Sequence, residues 1–294
     1  MAEARSRSGA RSLPASVELS PRGIAKDPAA LRLIPPGTRT YVVDGGDTPV
    51  NEWAEACLAL ARADLVAVPH IACRRLRSLD DIDERLGAMV RAARIRDALI
   101  IGGDIARPAG PFGSSMDLLR TGLIEQHGIH ALGIAGHPEG SPDIAPSAIV
   151  EALHEKIEFA ERTGIDLRLV TQFGFDAEAA IGWADRLAGE GFRLPIHIGV
   201  AGPTTMARLM KYAALCGVRT SLSFALKRGA ALTSLLGNYA PEPHVRAIER
   251  RALSNDGTLI KQLHVYAFGG LASAAEWLAG RGSWKPAAKE TGSP

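Results

Sequence analysis

The stretch Leu167-Arg-Leu-Val-Thr-Gln-Phe-Gly-Phe-Asp-Ala-Glu-Ala-Ala-Ile-Gly-Trp-Ala-Asp-Arg-Leu-Ala188 decides how the whole chain is read. It opens with a short apolar run, Leu167–Thr171, of the length and residue types of a buried strand. In Ala177–Ala188, Ala180, Trp183, Ala184 and Leu187 share one helical face, while Glu178, Asp185 and Arg186 lie elsewhere. Asp176 stands where a carboxylate can accept from the free N–H groups of the first turn, which makes it an N-cap candidate. The unit is a strand, a short turn and a helix.

The same unit recurs on both sides. Further strands are read at Ser16–Leu19, Thr40–Val43, Leu65–Val68, Ala98–Ile101, Ala131–Ile134, Pro195–Val200 and Gln262–Tyr266. Helical spacing is read at Trp53–Arg62, Leu79–Arg94, Met116–Glu125, Ser147–Arg162, Thr204–Cys216 and His244–Leu253. Strands buried on both faces and joined by helices make a parallel sheet, and eight such units over about 250 residues suit a closed (β/α)8 TIM barrel. An open doubly wound sheet would place a Gly-rich fingerprint after its first strand, and Glu18-Leu-Ser-Pro-Arg-Gly23 is not one. The reading is one barrel domain over 15–282, between disordered tails at 1–14 and 283–294.

Composition narrows the function classes. The 294 residues are 46% apolar and 22% charged, as in an ordinary globular protein, and 34 Lys and Arg against 32 Asp and Glu leave +2. No basic block interleaved with aromatics is present, so no nucleic-acid partner is expected. Cys57, Cys73 and Cys216 form no CxxC pair, which argues against a cysteine zinc site or a disulfide framework and for a reducing cytoplasm. Apolar runs stop short of the roughly 18 residues of a membrane span, and MAEARSRSGARS has no apolar signal core. No membrane partner is expected.

A barrel builds its active site at the C-terminal ends of its strands. Polar residues recur there: Glu18, Asp44, His70, Asp104, His137, Glu139, Gln172 and Tyr266, with His197 inside a strand. Gly45-Gly46, Gly102-Gly103 and Gly202-Pro203 stand beside them, and glycine lets backbone N–H groups approach a phosphate or flat ring. His70-Ile-Ala-Cys73 offers two metal-ligand types without further partners, so no metal is expected.

Five of these segments, in order, resemble the motifs of the methylenetetrahydrofolate reductase family. They are Ser16-Val-Glu-Leu-Ser-Pro21, Pro69-His-Ile-Ala-Cys73, Ile100-Ile-Gly-Gly-Asp104, Gly136-His-Pro-Glu-Gly-Ser-Pro142 and Val170-Thr-Gln-Phe-Gly-Phe-Asp176. The family's motifs read approximately FEFFPP, PHLTC, LRGD, YPExHP and TQFFFD. The match weakens after Val200, where Gly199-Val-Ala-Gly-Pro203 stands for PGIxP and His264-Val-Tyr266 for HFY.

The resemblance implies a flavin-binding barrel that interconverts 5,10-methylenetetrahydrofolate and 5-methyltetrahydrofolate, with FAD as cofactor and NADH or NADPH as co-substrate. It also implies a place in one-carbon metabolism and methionine biosynthesis, a cytoplasmic location and a homo-oligomer. It assigns Glu18 as general acid, with a raised pKa as an acid working near neutral pH needs. It assigns Asp104, Gln172 and Tyr266 to the folate, and His70, Gly103, Asp104, Ala135, His137 and Lys156 to the flavin. Asp104 would also lower the flavin potential.

The chain departs from the pattern at several positions. Gly102 replaces the arginine of LRGD, Ser141 replaces the second histidine of YPExHP, and Gly174 opens space in TQFFFD. An arginine that meets the folate glutamate tail falls at Gly270, with Lys227 or Arg228 as substitutes. Leu232–Leu236 and Trp277 are candidate subunit contacts. The departures keep open a flavin-independent folate reductase, or a folate-binding partner of a methyltransferase.

Overall fold

A computed structural model describes residues 12–43, 48–141, 144–216, 218, 237–254 and 257–284. The strands are β1 (Ala15–Leu19), β2 (Arg39–Val43), β3 (Val66–Ala72), β4 (Asp97–Ile101), β5 (Ala131–Gly136), β6 (Asp166–Phe173), β7 (Ile196–Ala201), β8 (Thr204–Thr205), β9 (Asn238–Tyr239) and β10 (Ile260–Tyr266). Eight of them close a barrel in the order β1-β10-β7-β6-β5-β4-β3-β2, parallel throughout. β8 and β9 form a separate antiparallel pair. The (β/α)8 reading holds, and each expected strand is present.

Three local features differ from the sequence reading. The helix expected over Met116–Glu125 is two pieces, Ser115–Leu119 and Leu123–Gln126, because Gly122 adopts a φ of 76° that a helix cannot contain. Thr204 and Thr205 belong to a strand, and the helix Met206–Leu215 begins after them with the Thr205 hydroxyl accepting from Arg208 N–H at 3.4 Å. A further helix, Leu271–Gly280, buries Ala274, Ala275 and Leu278. Asp176 caps as expected, accepting from Ala179 N–H at 3.1 Å.

The folded unit is also wider than 15–282. Leu13 is buried and its N–H donates to Glu249 Oε1 at 2.8 Å. Trp284 is buried and its indole N–H donates to the Ala15 carbonyl at 2.8 Å. Both seal the barrel beside the start of β1.

Alternation along the strands splits the core in two. Val17, Ile71, Ile100, Ile134 and Leu169 pack outward in the main core under the helices. Tyr41, Val68, Leu99 and Val170 form a separate cluster inside the barrel. Beneath that cluster the Arg168 guanidinium reaches Asp97 at 2.8 Å and Tyr41 Oη at 3.0 Å, while Arg39 holds the other Asp97 oxygen at 2.8 Å. These buried charges are paired, as burial requires. Among the described residues no helix is long and apolar enough to cross a membrane.

Candidate active site

A cavity of about 1040 Å³ opens at the C-terminal ends of the strands, lined in part by Glu18, His70, Gly103, Asp104, Gln172 and Tyr266. Six positions singled out from sequence thus come together from β1, β3, β6, β10 and the turn after β4. Ala135, His137 and Lys156 do not line it. Lys156 lies near His137 and Cys73, and burial pushes its ammonium below the ordinary lysine value, with Glu155 opposing. Burial, then the Lys156 charge, likewise lowers His137. Asp44, Gly45, Gly46, Pro142, Lys227, Arg228 and Leu232–Leu236 lie outside the described residues.

Glu18 is held by strand register. β1 pairs with β10 so that Glu18 faces Tyr266 and Ser16 faces His264. His264 Nε2 lies 3.6 Å and His70 Nδ1 3.5 Å from Glu18 Oε2. The raised pKa expected for Glu18 is corrected here. Burial pushes the carboxyl up, but the His264 and His70 imidazoles outweigh it and hold it at about 2. His264, fully buried and edge-on to Tyr41 at 4.4 Å, was not singled out from sequence as a site residue. Its signals in the sequence are the His264-Val-Tyr266 likeness to HFY and its parity, two residues before Tyr266.

Gln172 reaches the cavity through a break in pairing. The β6–β7 register shifts between Val170 and Phe173. Thr171 Oγ1 donates to the Gln172 carbonyl at 2.9 Å and accepts from Gly199 N–H at 2.8 Å. A Cβ on Gly199 would collide with the Thr171 and Gln172 carbonyls, so the bulge needs glycine opposite it. Gln172 Oε1 accepts from Phe173 N–H at 3.0 Å, which orients the amide and offers its NH2 as a donor.

Asp104 is exposed on the cavity rim, where Arg75 grips it. Arg75 Nε and Nη2 donate to its two oxygens at 3.0 Å each. Arg75 ends a short 3-10 turn, Cys73–Arg75, directly after β3. Gly103, at φ 100°, lets the end of β4 lie against Ala72 of β3. Cys73 is buried, and burial pushes its thiol up to about 12, so it is no thiolate ligand beside His70.

An aromatic wall completes the cavity. Phe173 packs on Tyr266 at 5.1 Å and on Phe268 at 4.9 Å, and Phe268 stacks on Tyr212 at 4.2 Å. Tyr266 Oη donates to the Thr171 carbonyl at 3.2 Å. A cavity lined by Tyr212, Tyr266 and Phe268 together with two carboxyl groups, a carboxamide and the His70 imidazole suits a heteroaromatic ligand.

Residues 39–276 match the family profile described as Methylenetetrahydrofolate reductase. The chain belongs to that family. It is 26% identical over 214 residues to the 5,10-methylenetetrahydrofolate reductase of Salmonella typhimurium, covering 70% of this chain and 66% of the relative. The enzyme of the same name from Pectobacterium carotovorum is 27% identical over 162 residues, covering 54% of this chain and 51% of the relative. Methylenetetrahydrofolate reductase 2 of Saccharomyces cerevisiae is 27% identical over 155 residues, covering 49% and 24%. The chain therefore matches about half to two thirds of the bacterial relatives' length. Among solved structures, dihydropteroate synthase from Thermus thermophilus is 13% identical, covering 91% of this chain and 94% of that one, with a TM-score of 0.44.

Departures from the methylenetetrahydrofolate reductase motifs have visible consequences. Around Gly102 no heavy atom of the described residues lies within 4 Å of where a Cβ would sit, so a side chain can start from there into open space. Gly270 is at φ 99°, a conformation that disfavours a side chain there. Ser141 makes an isolated bridge with Ile144. Trp277, a candidate subunit contact, is used within the chain: its indole N–H donates to Glu242 Oε2 at 3.0 Å and the Arg281 guanidinium lies over its ring.

Proposed function

We propose that this chain is a methylenetetrahydrofolate reductase, interconverting 5,10-methylenetetrahydrofolate and 5-methyltetrahydrofolate with FAD and NADH or NADPH. The observation that carries the reading is the convergence of Glu18, Asp104 and Gln172 on one cavity, in a chain of this family. A buried carboxyl, a rim carboxylate, a carboxamide and aromatic rings lining one cavity match the acid, pyrimidine-edge and ring-face demands of a pterin.

The residues present also fit a flavin. Among the described residues His70 carries two buried ring nitrogens without a hydrogen-bond partner, and Gly103 lines the same cavity. His70, Gly103 and Asp104 would hold the ring, with Ala135, His137 and the partly buried Lys156 ammonium toward the phosphates. When bound, the flavin supplies hydride relay between nicotinamide and folate.

The chain's own residues do the rest. Gln172 and Asp104 orient the pterin, and the Phe173, Tyr266 and Phe268 wall excludes water from it. Glu18 delivers a proton to the folate nitrogen that leaves as the five-membered ring opens, and takes it back in the oxidative direction. Ligand entry displaces water from Glu18 and adds to burial, the one influence that drives a proton onto this carboxyl.

The test is Glu18→Gln. Turnover should fall by about 10²- to 10⁴-fold, the usual worth of a general acid, while FAD still binds. Full turnover in the variant would remove Glu18 from the chemistry. Gly102, which removes one phosphate contact, favours a flavin-independent folate reductase as the second reading; no FAD binding at micromolar concentration would select it.

A further inference from the structure

We infer that Glu18 and His264 hold one proton between them, and that Ser16 makes His264 the positioning residue of the acid by fixing its tautomer. Ser16 is fully buried on β1, and its hydroxyl donates to the Leu263 carbonyl at 3.3 Å. A serine has one hydrogen to give, and with it on Leu263 the Ser16 oxygen is placed to accept from His264 Nδ1, 3.1 Å away. With Nδ1 protonated, a neutral imidazole turns its Nε2 lone pair toward Glu18 Oε2. Among the described residues neither atom has a hydrogen-bond partner. Two buried lone pairs facing across 3.6 Å repel, and a single proton between them turns repulsion into a charge-assisted contact.

The surrounding groups bear on where that proton rests. Burial disfavours charge on both partners; it lowers His264, while on Glu18 the two imidazoles outweigh it and favour the carboxylate, so the shared proton rests toward His264 Nε2. His70 on β3 pulls the carboxyl toward ionisation. Tyr41 on β2 presents its ring to His264, and Tyr266 lies beside it on β10. Arg168 on β6 opposes charge on His264 but is itself paired with Asp97 of β4. His197 on β7 is held neutral, at about 2, by burial and then by Arg168. With Nδ1 of His264 committed to Ser16, the His264 Nε2–Glu18 Oε2 contact would have no donor between its two atoms, and one retained proton supplies it. In turnover that proton leaves Glu18 Oε2 for the ligand nitrogen, and one solvent proton recharges the pair.

The experiment is ¹⁵N-histidine NMR on the ligand-free chain across about pH 5 to 9, the range where histidines titrate. Wild type should show His264 in the Nδ1-protonated tautomer, with a titration that Glu18→Gln abolishes. Ser16→Ala should lose the tautomer signature and shift that titration by about one pH unit, the worth of one hydrogen bond; Ser16→Thr should restore both. An Nε2-protonated His264, or signals unmoved by Glu18→Gln, would overturn the inference. The catalytic consequence, a fall in kcat of about tenfold in Ser16→Ala with KM unchanged, rests on the proposed reductase reading. The NMR result does not, so failure of one is separable from failure of the other.

Discussion

Arg75 clasps Asp104 through two parallel hydrogen bonds, each 3.0 Å long. The carboxylate assigned to the folate edge is thus already matched by a cation from the turn after β3. The pair is largely exposed, so it contributes no more than about 1 kcal/mol and opens easily to a ligand.

Removing the cation should change electronics more than stability. In Arg75→Gln the unmasked Asp104 charge lowers the potential of bound flavin, read by anaerobic redox titration, while the melting temperature stays close to wild type. A raised or unchanged potential would place Asp104 away from the flavin.

The open space at Gly102 makes a gain of binding testable. A Cβ at Gly102 has no neighbour within 4 Å among the described residues, and Gly102→Arg should tighten FAD by about tenfold, the worth of one charge-assisted contact to phosphate. Fluorescence titration of FAD reads this. Equal affinity in the two proteins would mean that the phosphates lie elsewhere.

Acid should destabilise the chain in two windows. His197 and His244 are held at about 2 and about 4, both principally by burial, below the unfolded value near about 6.5. Below that value the unfolded chain binds more protons, so stability falls with falling pH by up to about 1.4 kcal/mol per unit per group. Glu18, depressed to about 2, contributes above its unfolded value of about 4.5 and loses its contribution only below it. Urea titrations should show His197→Gln flattening the slope between about pH 6.5 and 4.5, and Glu18→Gln flattening the slope below about pH 4.5. An unchanged upper slope in His197→Gln would mean that this imidazole is protonated in the fold.

Gly199→Ala should cost about 2 to 4 kcal/mol, since its Cβ meets two backbone carbonyls that cannot move independently. The variant should also lose folate affinity because the bulge that presents Gln172 is displaced. A stable variant with full affinity would remove Gln172 from the binding surface.

The barrel was legible because each strand and helix carries its own periodicity, as in Leu167–Ala188, and the mouth positions follow from where apolar runs end. Contacts across distant strands were not legible. That His264 and His70 bracket Glu18 depends on the β1–β10 register and on barrel closure, which no local spacing encodes. The sign of the Glu18 shift was misread for that reason. Arg75 was overlooked because an arginine after a strand looks like a solvated charge until Asp104 is placed beside it. Leu271–Gly280 escaped notice since its buried face is mostly alanine, too weak a signal beside the glycines before it.

In the proposed reductase, folate, flavin and hydride transfer meet in the cavity beside Glu18. The most direct measurement is anaerobic: protein with FAD is mixed with 5-methyltetrahydrofolate, and oxidised-flavin absorbance is followed near about 450 nm. Bleaching of that band is the predicted result. An unchanged spectrum, with 5-methyltetrahydrofolate shown to be bound, would contradict the account.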